Sequence, residues 1–342
     1  MVVAPERPAA PILRVDGLHK AFPVRLGLFK RGAVSAVDGV TFDVYPGETL
    51  GIVGESGCGK STTARLILRL IDPTSGEIVF DGQDARAINR LIMYRGIQMV
   101  FQDPYSSVNP RMSIGENIAF PMKVHGFDSD KMQERVGTLL RQVGLHPNHA
   151  SYFPHQMSGG QLQRVNIARA LALEPKVVIC DEPVSALDKS IQAQVLNLLK
   201  DLQQELNLTY VFISHDLNVV EYMSDRVLVM YLGQVVESCA SDELYRQPLH
   251  PYTRVLLSSI PKTDPDERGS HAEALGDRTG EIPSPLNPPS GCRFRTRCPS
   301  AREICAQERP AMRQPTPAHD VACFLYENES SVISSQSSGT TP

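Results

Sequence analysis

An α/β fold with a central parallel sheet is what this sequence predicts, and three observations predict it. Short apolar runs at Thr49 to Val53, Val177 to Cys180 and Tyr210 to Ile213 have the length and near-continuous hydrophobicity of strands buried on both faces. Amphipathic stretches of helical period alternate with them; Ile191, Val195, Leu198, Leu199 and Leu202 share one face. The first apolar run leads through Gly54-Glu55-Ser56-Gly57-Cys58-Gly59-Lys60-Ser61-Thr62 into the helical stretch Thr63 to Leu70. Strand, G-x-x-x-x-G-K-S and helix in that order is a phosphate-binding P-loop. Its glycines let backbone N–H groups close around an anion, and the helix N-terminus adds partial positive charge. Lys60 is a mobile charge for the β- and γ-phosphates, and the Ser61 hydroxyl is a ligand for Mg²⁺. An ordinary glycine-rich turn needs neither Lys nor Ser between such flanks, so the chain is expected to bind a nucleoside triphosphate.

Composition narrows the class. The chain has 342 residues, is 42% hydrophobic and carries a net charge of -4. That is enough apolar material for a large core and the wrong sign for a general nucleic-acid surface. No apolar run approaches the roughly 20 residues that span a bilayer. Residues 1–11 are Pro- and Ala-rich without a hydrophobic signal core, and read as disordered. The chain reads as cytosolic, so its seven cysteines are expected to be mostly reduced rather than a disulfide framework.

In chain order, Ile12 to Val15 starts a strand and Leu18 to Val24 continues a sheet edge carrying Phe22. Arg25 to Ser35 reads as a surface loop, and Ala36 to Val44 alternates like a half-buried strand. Pro46-Gly47-Glu48 turns into the P-loop strand. Glu77 to Phe80 with Asp81-Gly82 is a strand and turn, and Ile97 to Phe101 a strand ending at Gln102-Asp103-Pro104. Residues 104–173 read as mainly helical, with helices over Asp128 to Val143 and Gln161 to Leu173. Val177 to Cys180 runs into Asp181-Glu182, and Tyr210 to Ile213 into Ser214-His215-Asp216. Val227 to Met230 and Gln234 to Glu237 form a hairpin. Residues 261–290 are a Pro-rich linker, 291–326 hold four cysteines, and 327–342 are a Ser/Thr-rich tail expected to be disordered.

Ser158-Gly159-Gly160-Gln161, opening a helix, is a second phosphate-holding N-terminus. One chain does not easily bring both loops onto one nucleotide, whereas a head-to-tail pair of modules does. With this motif in place the chain resembles the ATP-binding subunit of ABC transporters over about residues 12–260. The order is complete: residues 54–62, Gln102, Ser158 to Gln161, Val177 to Glu182, Ser185 to Asp188, and His215. Met157 stands where a leucine is more common, a change of similar volume. The resemblance implies a P-loop NTPase of ABC type with a RecA-like core, an antiparallel β subdomain and a helical signature subdomain.

It also implies roles. Phe22 would stack on adenine, unless it is simply a core aromatic. Ser61, Gln102 and Asp181 would hold Mg²⁺, Glu182 would polarise the attacking water, and His215 would contact the γ-phosphate. Ser158, Gly159, Gly160, Gln161 and Asp188 would act across a dimer interface. A carboxylate pair at the end of a buried strand beside a P-loop suits metal and base chemistry, and His215 ends a strand where an open α/β sheet meets its ligand.

His250-Pro251-Tyr252-Thr253 and Gly280 to Cys292 make the match closer, and together resemble the dipeptide/oligopeptide (and nickel) importer ATPases. Such subunits imply two membrane permease subunits, a second, related ATPase subunit and an extracytoplasmic substrate-binding protein. They place the chain at the cytoplasmic face of the membrane, with no nucleic acid. Peptide is the expected solute, with nickel or glutathione as alternatives. Cys292, Cys298, Cys305 and Cys323 in a segment with little core of its own suggest a metal staple. Their gaps are wider than tight C-x-x-C zinc pairs, and four thiolates also suit a [4Fe–4S] cluster. The resembling subunits imply that cluster; Zn²⁺ is the alternative. Arg293, Arg295, Arg297 and Arg302 could offset thiolate charge, at least two of them reading as a solvated face. Cys58, Cys180 and Cys239 read as structural. A soluble ATPase acting on DNA or ribosomes competes less well: Lys60 to Ser158 holds no sustained heptads, and there is one module.

Overall fold

The strand that delivers the P-loop, β3 (Thr49–Val53), lies in the middle of a nine-stranded sheet. A computed structural model describes residues 10–25, 31–260, 283–327 and 331–332. Expectations for residues 1–9, 261–282, 328–330 and 333–342, which cover most of the predicted disordered N-terminus, linker and tail, lie outside the described residues.

β3 pairs in parallel with β8 (Thr209–Ile213) and β9 (Arg226–Tyr231); β8 pairs in parallel with β7 (Val177–Asp181), and β7 with β6 (Ile97–Val100). Strands β3, β7 and β8 are buried at every residue. Their side chains alternate between two cores: Val177, Ile179, Val211 and Ile213 join one, and Val178, Cys180, Tyr210 and Phe212 the other. A sheet covered on both faces needs apolar residues at both parities, which is why these runs read as continuous rather than alternating. A separate four-stranded antiparallel sheet, β2-β1-β4-β5, covers one face. It comprises β1 (Leu13–Arg25), β2 (Arg31–Val44), β4 (Ser75–Phe80) and β5 (Gln83–Asp84). Of the stretch Arg25 to Ser35, expected as a surface loop, residues 26–30 lie outside the described residues, while Arg25 ends β1 and Arg31 to Ser35 belong to β2. β2 starts at Arg31, and pairs such as Phe22 with Val34 and Pro23 with Ala33 carry the hairpin outward.

The helices follow local signals. Lys60–Ile67 (α1) begins directly at the P-loop lysine. Arg90–Gly96 (α2) and Ile114–Val124 (α3) are capped by Asn89 and Ser113. Ser129–Gln142 (α4) is capped by Asp128 and turns inward Val136, Leu139 and Leu140. Gly159–Ala170 (α5) starts two residues earlier than its apolar period suggests, because Ser158 and Gln161 form a capping box. Lys189–Leu206 (α6) ends at Asn207 in the left-handed region.

The cysteine-bearing segment joins the main sheet. Strand β10 (Gln234–Ala240) returns antiparallel to β9 through the two-residue turn Leu232-Gly233, both at positive φ. His319–Val321 (β12) then pairs with β10, Glu237 opposite Val321, and Arg313–Thr316 (β11) pairs with β12. Ser331–Val332 (β13), in the stretch read as a tail, pairs with β11. Glu237 is fully buried at this seam. Its carboxylate accepts from Leu249 N–H (2.7 Å), His250 N–H (2.9 Å), the Thr253 hydroxyl and His319 Nε2 (2.7 Å). Glu237→Gln turns one accepting oxygen into an NH₂ that faces donors. It is expected to lower stability by about 2 kcal/mol, the cost of orphaned buried donors, read as a fall in the denaturant midpoint; an unchanged midpoint would remove Glu237 from this role.

Candidate nucleotide site and cysteine cluster

The functional side chains predicted from sequence gather at the carboxyl ends of the parallel strands, where an open α/β sheet presents its ligand crevice. The P-loop needs glycine at two points for plain steric reasons. Gly54 (φ +151°) and Gly59 (φ +109°) occupy backbone space where a Cβ would come within 2.2 Å of the Met230 carbonyl and 2.3 Å of the Ala36 carbonyl. Lys60 is buried, and its Nζ donates to the carbonyls of Gly54 (2.7 Å) and Glu55 (3.2 Å) and lies 3.8 Å from Cys58 Sγ. The β9–β10 turn braces the loop from behind, with Gly233 N–H on the Cys58 carbonyl at 2.8 Å.

The Ser61 hydroxyl donates to Asp181 Oδ1 at 2.9 Å. Two adjacent oxygen donors beside a phosphate cradle are what Mg²⁺ takes from a protein when substrate phosphates and water supply the rest. These residues therefore fit the metal. Burial pushes the Asp181 carboxyl above its usual range, with the Ser61 hydrogen bond opposing. The next residue, Glu182, has φ +49°, a left-handed backbone uncommon outside glycine and found at functional turns. Its Oε2 receives Gln102 Nε2 at 2.9 Å and lies 3.1 Å from His215 Nδ1. Gln102, Glu182 and His215, from the ends of three strands, thus meet at one carboxylate oxygen. With Ser56, Gly57, Gly59, Lys60, Ser61, Thr62 and Ala36 they line an open cavity of about 450 Å³. Ala36, on β2, is a lining residue that sequence reasoning missed, since an alanine in a strand carries no signal.

Six predicted participants lie elsewhere. Ser158 is exposed at the start of α5 and Asp188 is exposed before α6; neither they nor Gly159, Gly160 and Gln161 line that cavity. Phe22 is 36% exposed on β1 with Lys20 Nζ 5.2 Å from its ring centroid. It is not a core aromatic, and it too lies outside the phosphate cavity.

The four late cysteines do converge. Cys292, Cys298, Cys305 and Cys323 line one small cavity of about 20 Å³, with His250, Phe294 and Arg302 among its walls. Burial, with smaller repulsion from neighbouring thiols, raises Cys292 and Cys298 and pushes Cys323 up to about 11. Such a cluster ionises readily only with a cation among the sulfurs. Cys58, Cys180 and Cys239 are buried away from it, in the loop, β7 and β10. Two of the arginines lie at the surface, as expected of a solvated face, and two do not. Arg302 is exposed and Arg295 bonds Ser290. Arg293 and Arg297 are buried and pair with Asp38 and Glu55 of the preceding body. His250 caps helix Pro251–Ser258 through Nδ1, and burial drives it down to about 4, so the ring stays neutral.

Comparison with known proteins gives this geometry a family. The ABC transporter family matches residues 37–185, and the oligopeptide/dipeptide transporter C-terminal region matches residues 236–305. The chain is 53% identical over 322 residues to the oligopeptide transport ATP-binding protein AppF of Bacillus subtilis (strain 168), covering 92% of this chain and 97% of that one. It is 54% identical over 300 residues to the oligopeptide transport ATP-binding protein OppF of Salmonella typhimurium, covering 86% and 89%. Among solved structures, cbiO1 of Clostridium perfringens, part of the ABC transporter complex cbiONQ, superposes with a TM-score of 0.61 at 29% identity, covering 69% and 91%. The dimeric ATP-binding cassette MJ0796 bound to ADP and Pi superposes with a TM-score of 0.60 at 29% identity, covering 67% and 98%. This chain belongs to the ATP-binding subunits of ABC transporters, the ATPases that couple hydrolysis to transport, in the branch marked by the oligopeptide/dipeptide C-terminal region.

Proposed function

We propose that this chain binds and hydrolyses ATP to power import of dipeptides or oligopeptides through partner membrane subunits. The observation that carries the reading is the meeting of Gln102, Glu182 and His215 beside the Lys60-Ser61-Asp181 cradle, in a chain whose C-terminal region is that of peptide transporters. Lys60 and the loop N–H groups hold the phosphates, while Ser61, Asp181 and Gln102 would hold Mg²⁺, which when bound would supply positive charge to the transferred phosphoryl group. Glu182 orients and polarises the attacking water. Gln102 and His215 fix its carboxylate, and His215 reports the γ-phosphate. Ser158 to Gln161 and Asp188 close on the nucleotide of a second ATPase subunit, and Phe22 stacks on its own adenine. Ser158 and Asp188 are exposed and the whole first set lies outside the cavity lining, which suits that arrangement.

The assembly is two permease subunits, this chain and a related ATPase, fed by an extracytoplasmic binding protein. No helix among the described residues is long and apolar enough to cross a membrane; the chain attaches peripherally at the cytoplasmic face. The DNA- or ribosome-acting alternative is not favoured, since it leaves residues 236–305 unexplained. Residues 12–260 are the ATPase domain, with the helical subdomain at about 104–173, and 291–326 the metal segment. ATP-driven uptake in vesicles holding the assembled complex tests the reading. Uptake of labelled peptides is the expected result, and transport of nickel or glutathione alone would replace peptide as the solute.

The cysteine segment holds a [4Fe–4S] cluster in this reading. Tetrahedral zinc with Zn–S near 2.3 Å would bring its sulfurs to about 3.8 Å from one another. Among the described residues no three of these thiols lie within 4.8 Å of each other, although all four line one cavity. A four-iron cubane, whose thiolates sit on separate irons, accepts that wider spacing. Protein purified without oxygen is expected to carry about four irons per chain and a broad visible absorption band. Stoichiometric zinc would make the segment a redox-silent staple.

A further inference from the structure

We propose that Arg297 is a positioning residue for the nucleotide site, through which the cysteine segment controls how tightly the P-loop holds the triphosphate. This rests on the ATPase reading and adds to it a coupling between two places in the chain.

Arg297 immediately precedes Cys298 and its side chain is only 8% exposed. Its guanidinium forks onto Glu55, Nη1 to Oε2 at 2.8 Å and Nη2 to Oε1 at 2.9 Å. Glu55 is the second residue of the P-loop, an acidic side chain inside a loop built to receive a polyanion. Unpaired, that carboxylate would repel the triphosphate and compete for Lys60, whose ammonium already touches the Glu55 carbonyl at 3.2 Å. Paired in a bidentate fork, it is neutralised and its plane is fixed. A second hold acts on the same residue: Glu55 N–H donates to the Tyr252 hydroxyl at 2.8 Å. The Tyr252 ring packs on Phe294, two residues beyond Cys292, with centroids 5.4 Å apart. Phe294 in turn lines the cysteine cavity. Glu55 is thus held by groups from the segment on its side chain and by that segment's aromatic packing on its backbone. Arg297 Nε is buried without a partner, so the Glu55 fork carries most of this guanidinium's pairing. Loosening the segment at Cys298 would move Arg297 and release the carboxylate.

The test is Mg²⁺-ATP affinity of the purified full chain, with the KM-against-kcat split measured on the assembled complex. Arg297→Gln is expected to raise Kd and KM about tenfold, within the usual range of coupling between sites, with kcat near wild type. Arg297→Lys, which keeps the charge without the fork, falls between. Adding Glu55→Gln to Arg297→Gln should recover most of the affinity, because the offending charge is gone. Cys298→Ser should weaken binding by a similar factor and add nothing to Arg297→Gln. Arg309→Gln cuts a different tether of the segment, to Asp38, and should leave affinity unchanged. Unaltered affinity in Arg297→Gln, no recovery in the double variant, or equal weakening in Arg309→Gln would each overturn the proposal. A wild type that binds no ATP, or a Lys60→Ala variant that binds as well as wild type, would sink the ATPase reading itself and this proposal with it.

Discussion

Glu182→Gln is expected to abolish turnover while leaving ATP binding intact, the largest effect of any single substitution at this site. Among the described residues both side-chain contacts of Glu182, from Gln102 at 2.9 Å and His215 at 3.1 Å, fall on Oε2. A glutamine carbonyl can still accept from Gln102, so the local network survives. What disappears is the negative charge that, in the proposed role, draws a proton from the attacking water. Loss of a positioned general base costs about 10²–10⁴-fold in rate. Because the phosphate cradle is untouched, ATP should accumulate on the enzyme, and the paired ATPase subunits should stay closed around it. Steady-state phosphate release and nucleotide retention after gel filtration check both halves. Phosphate release at the wild-type rate would take Glu182 out of the catalytic role.

Lys60→Ala acts one step earlier, on binding. The ammonium is held over the loop by the Gly54 and Glu55 carbonyls, at 2.7 and 3.2 Å, and in the proposed role meets the β- and γ-phosphates there. Each charge-assisted hydrogen bond to such a group is worth about 1.5–3 kcal/mol, so losing contacts to two phosphates should weaken Mg²⁺-ATP by about 10²-fold or more. Uptake by the assembled complex should fall to background. The fold should persist, since the cores on either side of the sheet do not depend on this side chain. Normal transport by Lys60→Ala would show that this subunit's nucleotide site is dispensable, and that its partner subunit drives the cycle alone.

Much of this was legible in the chain because short-range rules govern it. The buried strands β3, β7 and β8 declare themselves as apolar runs, as both of their faces meet a core. The P-loop is a local device, with its glycines, lysine and serine within one turn of each other. The cap at Ser158 and Gln161 was legible as a motif, although the helix it starts begins earlier than its apolar period. The pairing of Ala21 to Arg25 with Arg31 to Ser35 was less legible, since polar and apolar residues mix there and cross-strand pairing alone extends the strands. Which two of the four arginines are solvated was not legible, because Asp38 and Glu55, the partners of buried Arg293 and Arg297, lie far back in the sequence.

By itself the sequence determined the parallel core, the nucleotide chemistry and the presence of four late thiols, because each is written in residue type and spacing within a short stretch. Only the tertiary structure decided which distant groups meet. Gln102, Glu182 and His215 converge because their strands lie near one another in one parallel sheet and end at the same edge. The cysteine segment reaches the P-loop because β12 is laid against β10 and brings Arg297 onto Glu55 across 242 positions of chain. Pairings of that kind follow from sheet order and from the need to neutralise buried charge, and neither leaves a local pattern to read.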